Sequence, residues 1–267
     1  MLKNYGKILL VLLSMLSSLA YSQNMYSPKA EPEIAPSKTA LLSMLPVFLK
    51  QGHIVGQLGG FWSIQGKTQH VDINSLIGDN FTISSKHPNN VLLGIGYLIN
   101  GKDRSSFNGD SKLSYGLNFF YLPKTGVSGT VVQENLFSNL SYGYNISHYP
   151  LYAVAKSTIN LNAQPIALTI DAGIGPNFMR LSQFHETSLD GITIPEAIFS
   201  SRTNTVFSAT AGLGIKFNHL FGERPLECGY RFFYLGQGSF NIINNQVTTA
   251  LNTGNVYANA LVCSVTL

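Results

Sequence analysis

The sequence predicts an all-β protein, an eight-stranded antiparallel transmembrane β-barrel preceded by an N-terminal signal peptide. The first residues have the layout of an export signal, and most of the remaining chain alternates apolar and polar residues with a period of two. The connections between the alternating segments are long and short in turn. A period of two places successive side chains on opposite faces of a strand. Alternating long and short connections are typical of barrels that cross a membrane.

Residues 1–22 have the three parts of a secretory signal peptide. Lys3 and Lys7 supply the positive charge, residues 8–19 form the apolar run, and Ala20–Ser22 fits a cleavage site with small residues. An uncleaved anchor is the alternative, but the apolar run is shorter than the roughly 20 residues of a membrane-spanning helix. We therefore expect export and cleavage after residue 22.

Residues 23–52 are predicted to be a periplasmic linker. Pro28, Pro32 and Pro36 favour an extended chain in the first half of this segment. A segment folded against the barrel mouth is the alternative.

Charged residues are scarce, at 11% of the chain, against roughly 25% in ordinary soluble domains. Tyr, Phe, Gly, Asn and Ser replace them, which suits a barrel with an apolar outside, a lumen of small residues and polar loops. Without residues 1–22 the chain keeps 15 basic and 13 acidic residues. This balance, with no basic stripe, gives no reason to expect a nucleic-acid partner.

Residues 53–267 contain the eight predicted strands of the barrel. In the third, Leu113 and Tyr115 lie on one face, while Ser114 and Gly116 lie on the other. A soluble barrel would turn the apolar face inward around a ligand. Here the glycines and polar residues share one face, which suits a narrow lumen, and the aromatic residues share the other. We therefore expect the apolar face to contact lipid. The predicted strands are His53–Gln65, Asn90–Ile99, Lys112–Leu122, Ser141–Asn160, Ile166–Met179, Thr205–Phe217, Leu226–Phe240 and Val256–Leu267.

The connections after the odd-numbered strands are predicted to be long extracellular loops, and those after the even-numbered strands short periplasmic turns. Pro150 and Pro176 flank one predicted turn, residues 161–165, almost symmetrically. Because proline removes a ladder hydrogen bond, we expect both at one height near the outer rim, where the ladder can break. The predicted long loops are Gly66–Asn89, Pro123–Leu140, Arg180–Asn204 and Asn241–Asn255.

Several of these features together resemble the small OmpA/OmpX-like family of outer-membrane β-barrels. They are the signal peptide, the eight amphipathic strands, the Gly-x-Gly segments Gly94–Gly96, Gly173–Gly175 and Gly212–Gly214, the run Glu227–Arg231 and an apolar last residue. The resemblance implies residence in the bacterial outer membrane among its lipids. It also implies insertion by the barrel assembly machinery.

The outward face of the last strand is the expected assembly signal for that machinery. This face carries Tyr257, Leu261, Cys263, Val265 and Leu267. The family usually ends in Phe, so Leu267 departs from the pattern.

The two cysteines are predicted to face each other across the last two strands. Centring the hairpin on its loop places Cys228 near Cys263, with both on the lipid-facing side. The exported compartment permits oxidation, but the register is uncertain by about two residues and only some facing pairs suit a disulfide. The sequence therefore leaves a disulfide between Cys228 and Cys263 possible, but it favours two separate thiols.

A network of charged side chains is predicted inside the periplasmic half of the barrel, because charges are rare in these strands. Lys156 and Asp171 lie at similar distances from one turn, and Lys216 and Glu227 from another, so each pair should face across its hairpin. Arg231 needs a different partner and is expected to reach towards Asp171 across the lumen. We expect this charged network to act as a structural plug that stabilises the barrel, in preference to a gate that opens when the ion pairs exchange partners.

Enzyme chemistry is not expected, and no catalytic, cofactor or metal residue is assigned. Ser147 and His148, the residue types of a lipid A deacylase, are neighbours and so point to opposite faces of a strand. Asp79 with His87, and the segment His185–Asp190, have the residue types of outer-membrane proteases but lie in polar loops. The six histidines show no metal-ligand spacing.

The remaining expectation is a non-enzymatic outer-membrane protein with a structural or surface-interaction role. An eight-stranded barrel is just wide enough for its side chains to fill, and inward Phe61, Phe120, Arg231 and Phe233 should fill this one. Loops on rigid scaffolds often carry function, and these loops suit adhesion or a host or cell-surface ligand. A lipid-modifying or proteolytic enzyme and a narrow channel are the alternatives.

Overall fold

The computed structural model describes most of the predicted barrel. The predicted signal peptide and almost all of the predicted linker lie outside the described residues, so these predictions stay untested. Among the described residues, no helix is long and apolar enough to cross a membrane. The described residues are 52–73, 77–84, 88–106, 109–134, 136–160, 165–196, 198–221, 224–243, 245 and 247–267.

Twelve strands are formed in the described part of the chain, and eight of them close into an antiparallel ring in the order β5-β4-β1-β12-β10-β9-β7-β6, with β6 returning to β5. This confirms the predicted fold class. The strands are β1 Gly52–Ile64, β2 Gln69–Ile73, β3 Ile77–Phe81, β4 Asn89–Ser106, β5 Gly109–Gln133, β6 Phe137–Asn160, β7 Ile166–Ser188, β8 Phe199–Ser200, β9 Arg202–Phe221, β10 Arg224–Gly236, β11 Asn241–Ile242 and β12 Val256–Thr266.

The two faces of the ring have the predicted chemistry. Leu58 and Leu261 on the outside are 57% and 62% exposed, and other large apolar residues of the ring share this face. Inward positions hold buried polar residues such as Gln57 and Asn118 together with buried rings such as Phe120. An apolar outer surface of this extent is stable only in an apolar solvent, so the barrel is transmembrane.

Three ring strands continue well beyond the membrane-spanning part, and here the loop predictions were wrong. Residues 123–140 belong largely to β5 and β6, and β7 runs to Ser188. The pattern inverts in this part, because Val127 and Val131 are buried inside while Ser128 faces out. A register shift between Leu122 and Thr125 changes which residues of β5 point inward.

The remaining strands also belong to this extracellular part. The β2–β3 hairpin, within a predicted loop, pairs with β5 through residues 79–81. The strand pair β8–β11 lies between ring strands in the sequence. The extracellular end is therefore an ordered structure with an apolar interior.

Pro150 and Pro176 lie at one height, as predicted. Pro150 is opposite Asn177, the neighbour of Pro176, and the next bridged pair towards the periplasm is Ala153 with Ile174. The outward-facing Tyr149 stacks on Tyr121 of β5 beside this point. The ladder is thus interrupted where aromatic side chains flank the strands.

The last strand closes the ring, because β12 pairs with β1 on one side and with β10 on the other. Its outward face carries the five residues of the expected assembly signal, Tyr257, Leu261, Cys263, Val265 and Leu267. Their recognition by the assembly machinery stays a prediction.

Cys228 lies directly opposite Cys263. Their Cα atoms are 4.1 Å apart and the two residues form a disulfide. The expectation of two separate thiols was therefore wrong, because the register places the residues in direct opposition, without the offset that sequence alone left open. The disulfide fastens the closing strand to its neighbour.

Replacing both cysteines by serine should destabilise the barrel. The bond closes a loop with a sequence separation of 35, for which the chain-entropy relation gives about 3–4 kcal/mol. We expect a lower urea midpoint for Cys228→Ser/Cys263→Ser in detergent, with a similar shift when the wild-type protein is fully reduced. An unchanged midpoint in both samples would contradict this role.

Candidate functional site

The candidate site is the polar lumen in the periplasmic half of the barrel. Strand alternation turns five charged side chains into it, and four strands supply them. The periplasmic end is the end with the short turns. The five residues are Lys156 of β6, Asp171 of β7, Lys216 of β9, and Glu227 and Arg231 of β10.

Two ion pairs cross the lumen between these residues. Arg231 Nη2 donates to Asp171 Oδ2 at 2.7 Å, and both side chains are at least nine-tenths buried. Lys156 Nζ pairs with Glu227 Oε2. The second oxygen of that carboxylate, Oε1, accepts a hydrogen bond from Thr169 Oγ1 at 2.9 Å.

As predicted, Arg231 reaches Asp171 across the lumen. The predicted pairs Lys156–Asp171 and Lys216–Glu227 need correction, although their registers are present. Lys156 lies opposite Asp171, and Lys216 lies opposite Glu227. The ion pairs nevertheless join Lys156 to Glu227 and Asp171 to Arg231. Backbone register fixes neighbours on adjacent strands, but long side chains in a narrow lumen reach strands further round the ring.

Gly212 and Gly214 of β9 make this crossing possible. Asp171, Gly212 and Arg231 form one row across β7, β9 and β10. A Cβ atom on Gly212 would lie 2.7 Å from Asp171 Oδ2 and 3.2 Å from Arg231 Nη2. A Cβ atom on Gly214 would lie 2.8 Å from the Thr169 hydroxyl. Because the Gly-x-Gly segment of β9 has no side chains at these positions, side chains of β7 and β10 can meet across it. The inward position of both glycines in the sequence pattern could have indicated this gap.

A small cavity lies beside the ion pairs. It has a volume of about 30 Å³ and is lined by Asn118, Asp171 and Arg231, among others. A volume of roughly 10–15 Å³ on this measure holds one water molecule. The Oδ1 atoms of Asn118 and Asp171 are buried without a hydrogen-bond partner among the described residues, so water in this cavity would complete their hydrogen bonding.

An aromatic layer closes the lumen above the ion pairs. Phe61, Phe120, Tyr152 and Phe233 are each at most 2% exposed. The Phe120 and Phe233 rings meet edge to face at 5.2 Å. Arg231 Cζ lies 5.4 Å from the centre of the Phe120 ring, so a cation–π contact joins the aromatic layer to the ion pairs.

A second group of rings fills the extracellular end, which we call the extracellular cap. Phe81 and Tyr142 meet edge to face at 5.0 Å, as do Tyr144 and Phe240. Phe199 packs against these rings from the segment around β8. The cap is therefore a second apolar core, built where the polarity of the strands inverts.

Two carboxylates point into the cap. Glu186 lies opposite the inward Tyr142, and Asp79 of β3 is 8% exposed. Burial, with the nearby charges of Asp79 and Glu196, raises the pKa of Glu186 from 4.5 to about 7. Burial also raises the pKa of Asp79. Both groups lie outside the membrane-spanning part.

The residues considered for catalysis are not brought together. Ser147 and His148 are both buried, and His148 Nδ1 accepts a hydrogen bond from the Asn177 amide at 3.0 Å. His185 lines an outer groove while Glu186 points into the cap. His87 lies outside the described residues. No cluster of three or more metal-ligating side chains is present in the described part of the chain.

Asp190 organises the loop after β7. Its carboxylate accepts hydrogen bonds from the side chains of Ser188 and Thr193 and from the backbone amides of Ile192 and Thr193. These bonds, with the Thr193 hydroxyl contributing most, hold the pKa of Asp190 well below its ordinary value. The prediction of a solvated loop residue missed this role of Asp190, although the pattern Ser-x-Asp-Gly is a turn signal.

The chain was compared with known proteins. No protein-family model matches the sequence, and no curated protein sequence is similar to it. Neisserial surface protein A overlaps 80% of this chain and 96% of its own, at 10% identity and a TM-score of 0.35. The attachment invasion locus protein Ail of Yersinia pestis overlaps 81% and 99%, at 14% identity and a TM-score of 0.32. The outer-membrane protease OmpT from Escherichia coli overlaps 80% and 95%, at 8% identity and a TM-score of 0.43.

These likenesses are loose and identify no activity. The fold assignment rests on the closed ring itself, with its apolar outer surface and its short turns at one end. The protein is a transmembrane β-barrel with the architecture of the outer-membrane type.

Removing Glu227 should destabilise the barrel, because Lys156 would lose its partner inside the lumen. Breaking a buried pair costs roughly 3–5 kcal/mol, and less is expected here because the two side chains are 15% and 16% exposed. We expect Glu227→Ala to lower the urea midpoint in detergent. Adding Lys156→Met should recover part of the loss, whereas Lys216→Met in the same background should recover less. Equal recovery by the two lysine changes would contradict the observed pairing.

The extracellular cap should be more stable at acidic pH. Glu186 has a higher pKa in the folded cap than in the unfolded chain, so protonation of Glu186 stabilises the folded state. This contribution is complete below pH 4.5 and is lost as the pH rises through about 7. Hydrogen exchange of cap amides, corrected for intrinsic rates, should therefore be slower at pH 5 than at pH 8. Glu186→Gln should remove most of this difference, and an unaltered pH dependence in that variant would exclude Glu186 as its source.

Proposed function

We propose that this protein is a non-enzymatic outer-membrane barrel whose extracellular end interacts with another cell or with a factor at the cell surface. The observation that supports this function is a group of exposed apolar side chains, which we call the apolar tip. Ile192 and Ile194 are 84% and 83% exposed. The apolar tip consists of Leu136, Phe137, Leu189, Ile192 and Ile194.

Two segments of the chain bring these residues together. The backbone amide of Leu189 donates to the carbonyl of Asn139 at 2.7 Å, which joins the loop after β7 to the start of β6. Scattered exposed apolar residues are normal on protein surfaces, but a group of them at one place often marks an interaction site. Here the group lies at the extracellular end, far from the lipid-facing wall.

The Asp190 turn makes this surface rigid. Its hydrogen bonds fix the backbone at Ile192 and Thr193, so Ile192 and Ile194 are presented on an ordered loop. Binding to an ordered loop avoids part of the entropy loss that a mobile loop would undergo. The strand extensions below provide a stiff base with a packed interior.

The alternatives have less support. The aromatic layer and the extracellular cap fill the lumen in succession, which favours a barrel that conducts no ions. The serine, histidine and carboxylate residues considered for catalysis point in different directions, which favours a protein without an active site. Lipid A mass spectra from cells with and without the protein should be identical under this proposal.

Adhesion measurements test the proposed function. Cells expressing the protein at their surface should attach to a layer of cultured animal cells more than vector-only cells do. Ile192→Asn/Ile194→Asn should reduce attachment to the vector level, because the apolar contact area is lost while the turn is kept. The matched control is Ile242→Asn/Ile243→Asn, two isoleucines of another extracellular segment that are 38% and 58% exposed.

The control variant should attach like the wild-type protein, and all variants should show the same surface labelling. Attachment of the wild-type cells at the vector level would exclude adhesion to that cell type. Equal attachment by wild-type and Ile192→Asn/Ile194→Asn cells would exclude the apolar tip as the contact.

A further inference from the structure

The periplasmic end of the barrel contains a cavity that the proposed function does not use. Its volume is about 490 Å³, and we call it the periplasmic vestibule. Lys112, Lys156, Lys216 and Glu227 line it, together with asparagine, serine and threonine side chains from the ends of several strands. A liquid water occupies about 30 Å³, so the vestibule has room for a hydrated small ion or an organic group.

The described residues of the lining carry an excess of positive charge. Among them Glu227 is the one carboxylate, and both of its oxygens are engaged, because Oε2 pairs with Lys156 and Oε1 accepts from Thr169. Lys216 lies opposite Glu227 but takes part in no ion pair among the described residues. Lys112 also lines the vestibule and adds a further positive charge to it.

On its inner side the vestibule meets the ion pair of Lys156 with Glu227, and the aromatic layer lies beyond it. The vestibule lies at the periplasmic ends of the strands, so a solute can reach it from the periplasm. A narrow cleft with one sign of charge and low-dielectric walls concentrates ions of the opposite sign. The ring of hydroxyl and amide side chains supplies hydrogen-bond donors around the lysines.

We propose that the periplasmic vestibule binds a small polyanion, with phosphate or carboxylate groups, around Lys216. The lysine ammonium acts as a point charge for such oxygens. Lys156 contributes while keeping its bond to Glu227, and the neighbouring amides and hydroxyls fix the orientation of the ligand. The site differs in position and in chemistry from the apolar tip at the extracellular end.

Calorimetric titration of the full-length protein in an uncharged maltoside detergent tests this site. Pyrophosphate and citrate are the two probes, so the result also tells which oxyanion chemistry is preferred. At least one should bind saturably, and its affinity should decrease as salt is added. Lys216→Met should weaken binding about tenfold or more, the scale of one close charge contact, whereas Lys216→Arg should retain most of it.

The matched control is Lys124→Met, which removes the same charge from an exposed lysine in the extracellular extension of β5. It should leave the affinity unchanged, and every variant should show the gel shift of a folded barrel. Absence of saturable binding to both probes overturns the proposal. It is equally overturned if Lys216→Met binds as tightly as the wild-type protein, or if Lys124→Met weakens binding to the same extent.

Discussion

The pairing of β12 with β1 is the contact on which the rest of the structure depends. A strand edge left open in the hydrocarbon would expose unpaired backbone groups, each at a cost of several kcal/mol. Residues 55–64 of β1 meet residues 257–266 of β12 along almost their whole length. On its other edge β12 pairs with β10, and the bond between Cys228 and Cys263 reinforces that side. Closure with eight strands then determines how narrow the lumen is.

A lumen of this width restricts what its side chains can do. Arg231 reaches Asp171 across β9 because Gly212 carries no side chain there, and Gly214 leaves a similar gap beside Glu227. Where the inward residues are large, as at Phe120 and Phe233, the rings meet edge to face inside the lumen. The same narrowness thus produces both the linked charges in the periplasmic half and the packed aromatic layer above them.

The sequence predicted the parts of this structure that depend on one strand or one hairpin. Period-two alternation located all eight ring strands, and turn centring placed Cys228 opposite Cys263. The pattern did not reveal how far β5 and β6 extend, because polarity inverts where water replaces lipid outside the barrel. A pattern search that expects apolar side chains on the outside therefore assigns Ser128 and Val131 to a loop, because Ser128 faces out and Val131 faces in.

The candidate site was predicted in membership and in one of its two ion pairs. Inward parity identified Lys156, Asp171, Lys216, Glu227 and Arg231, which all line the periplasmic half. The reach of Arg231 to Asp171 was expected, but the pairing of Lys156 with Glu227 depends on side-chain length and on the empty positions of β9, which register alone does not contain. The Asp190 turn was missed for a different reason, since a local turn signal was given less weight than the general polarity of the loop.

The aromatic layer and the extracellular cap divide the barrel into two ends with different chemistry. The extracellular end packs rings in its interior and presents apolar side chains on an ordered loop, whereas the periplasmic end holds lysine side chains around Glu227. Because sites that are distant and share no partners act almost additively, changes at the apolar tip and in the periplasmic vestibule should combine without coupling. The two ends are best understood as separate surfaces that one closed ring holds on opposite sides of the membrane.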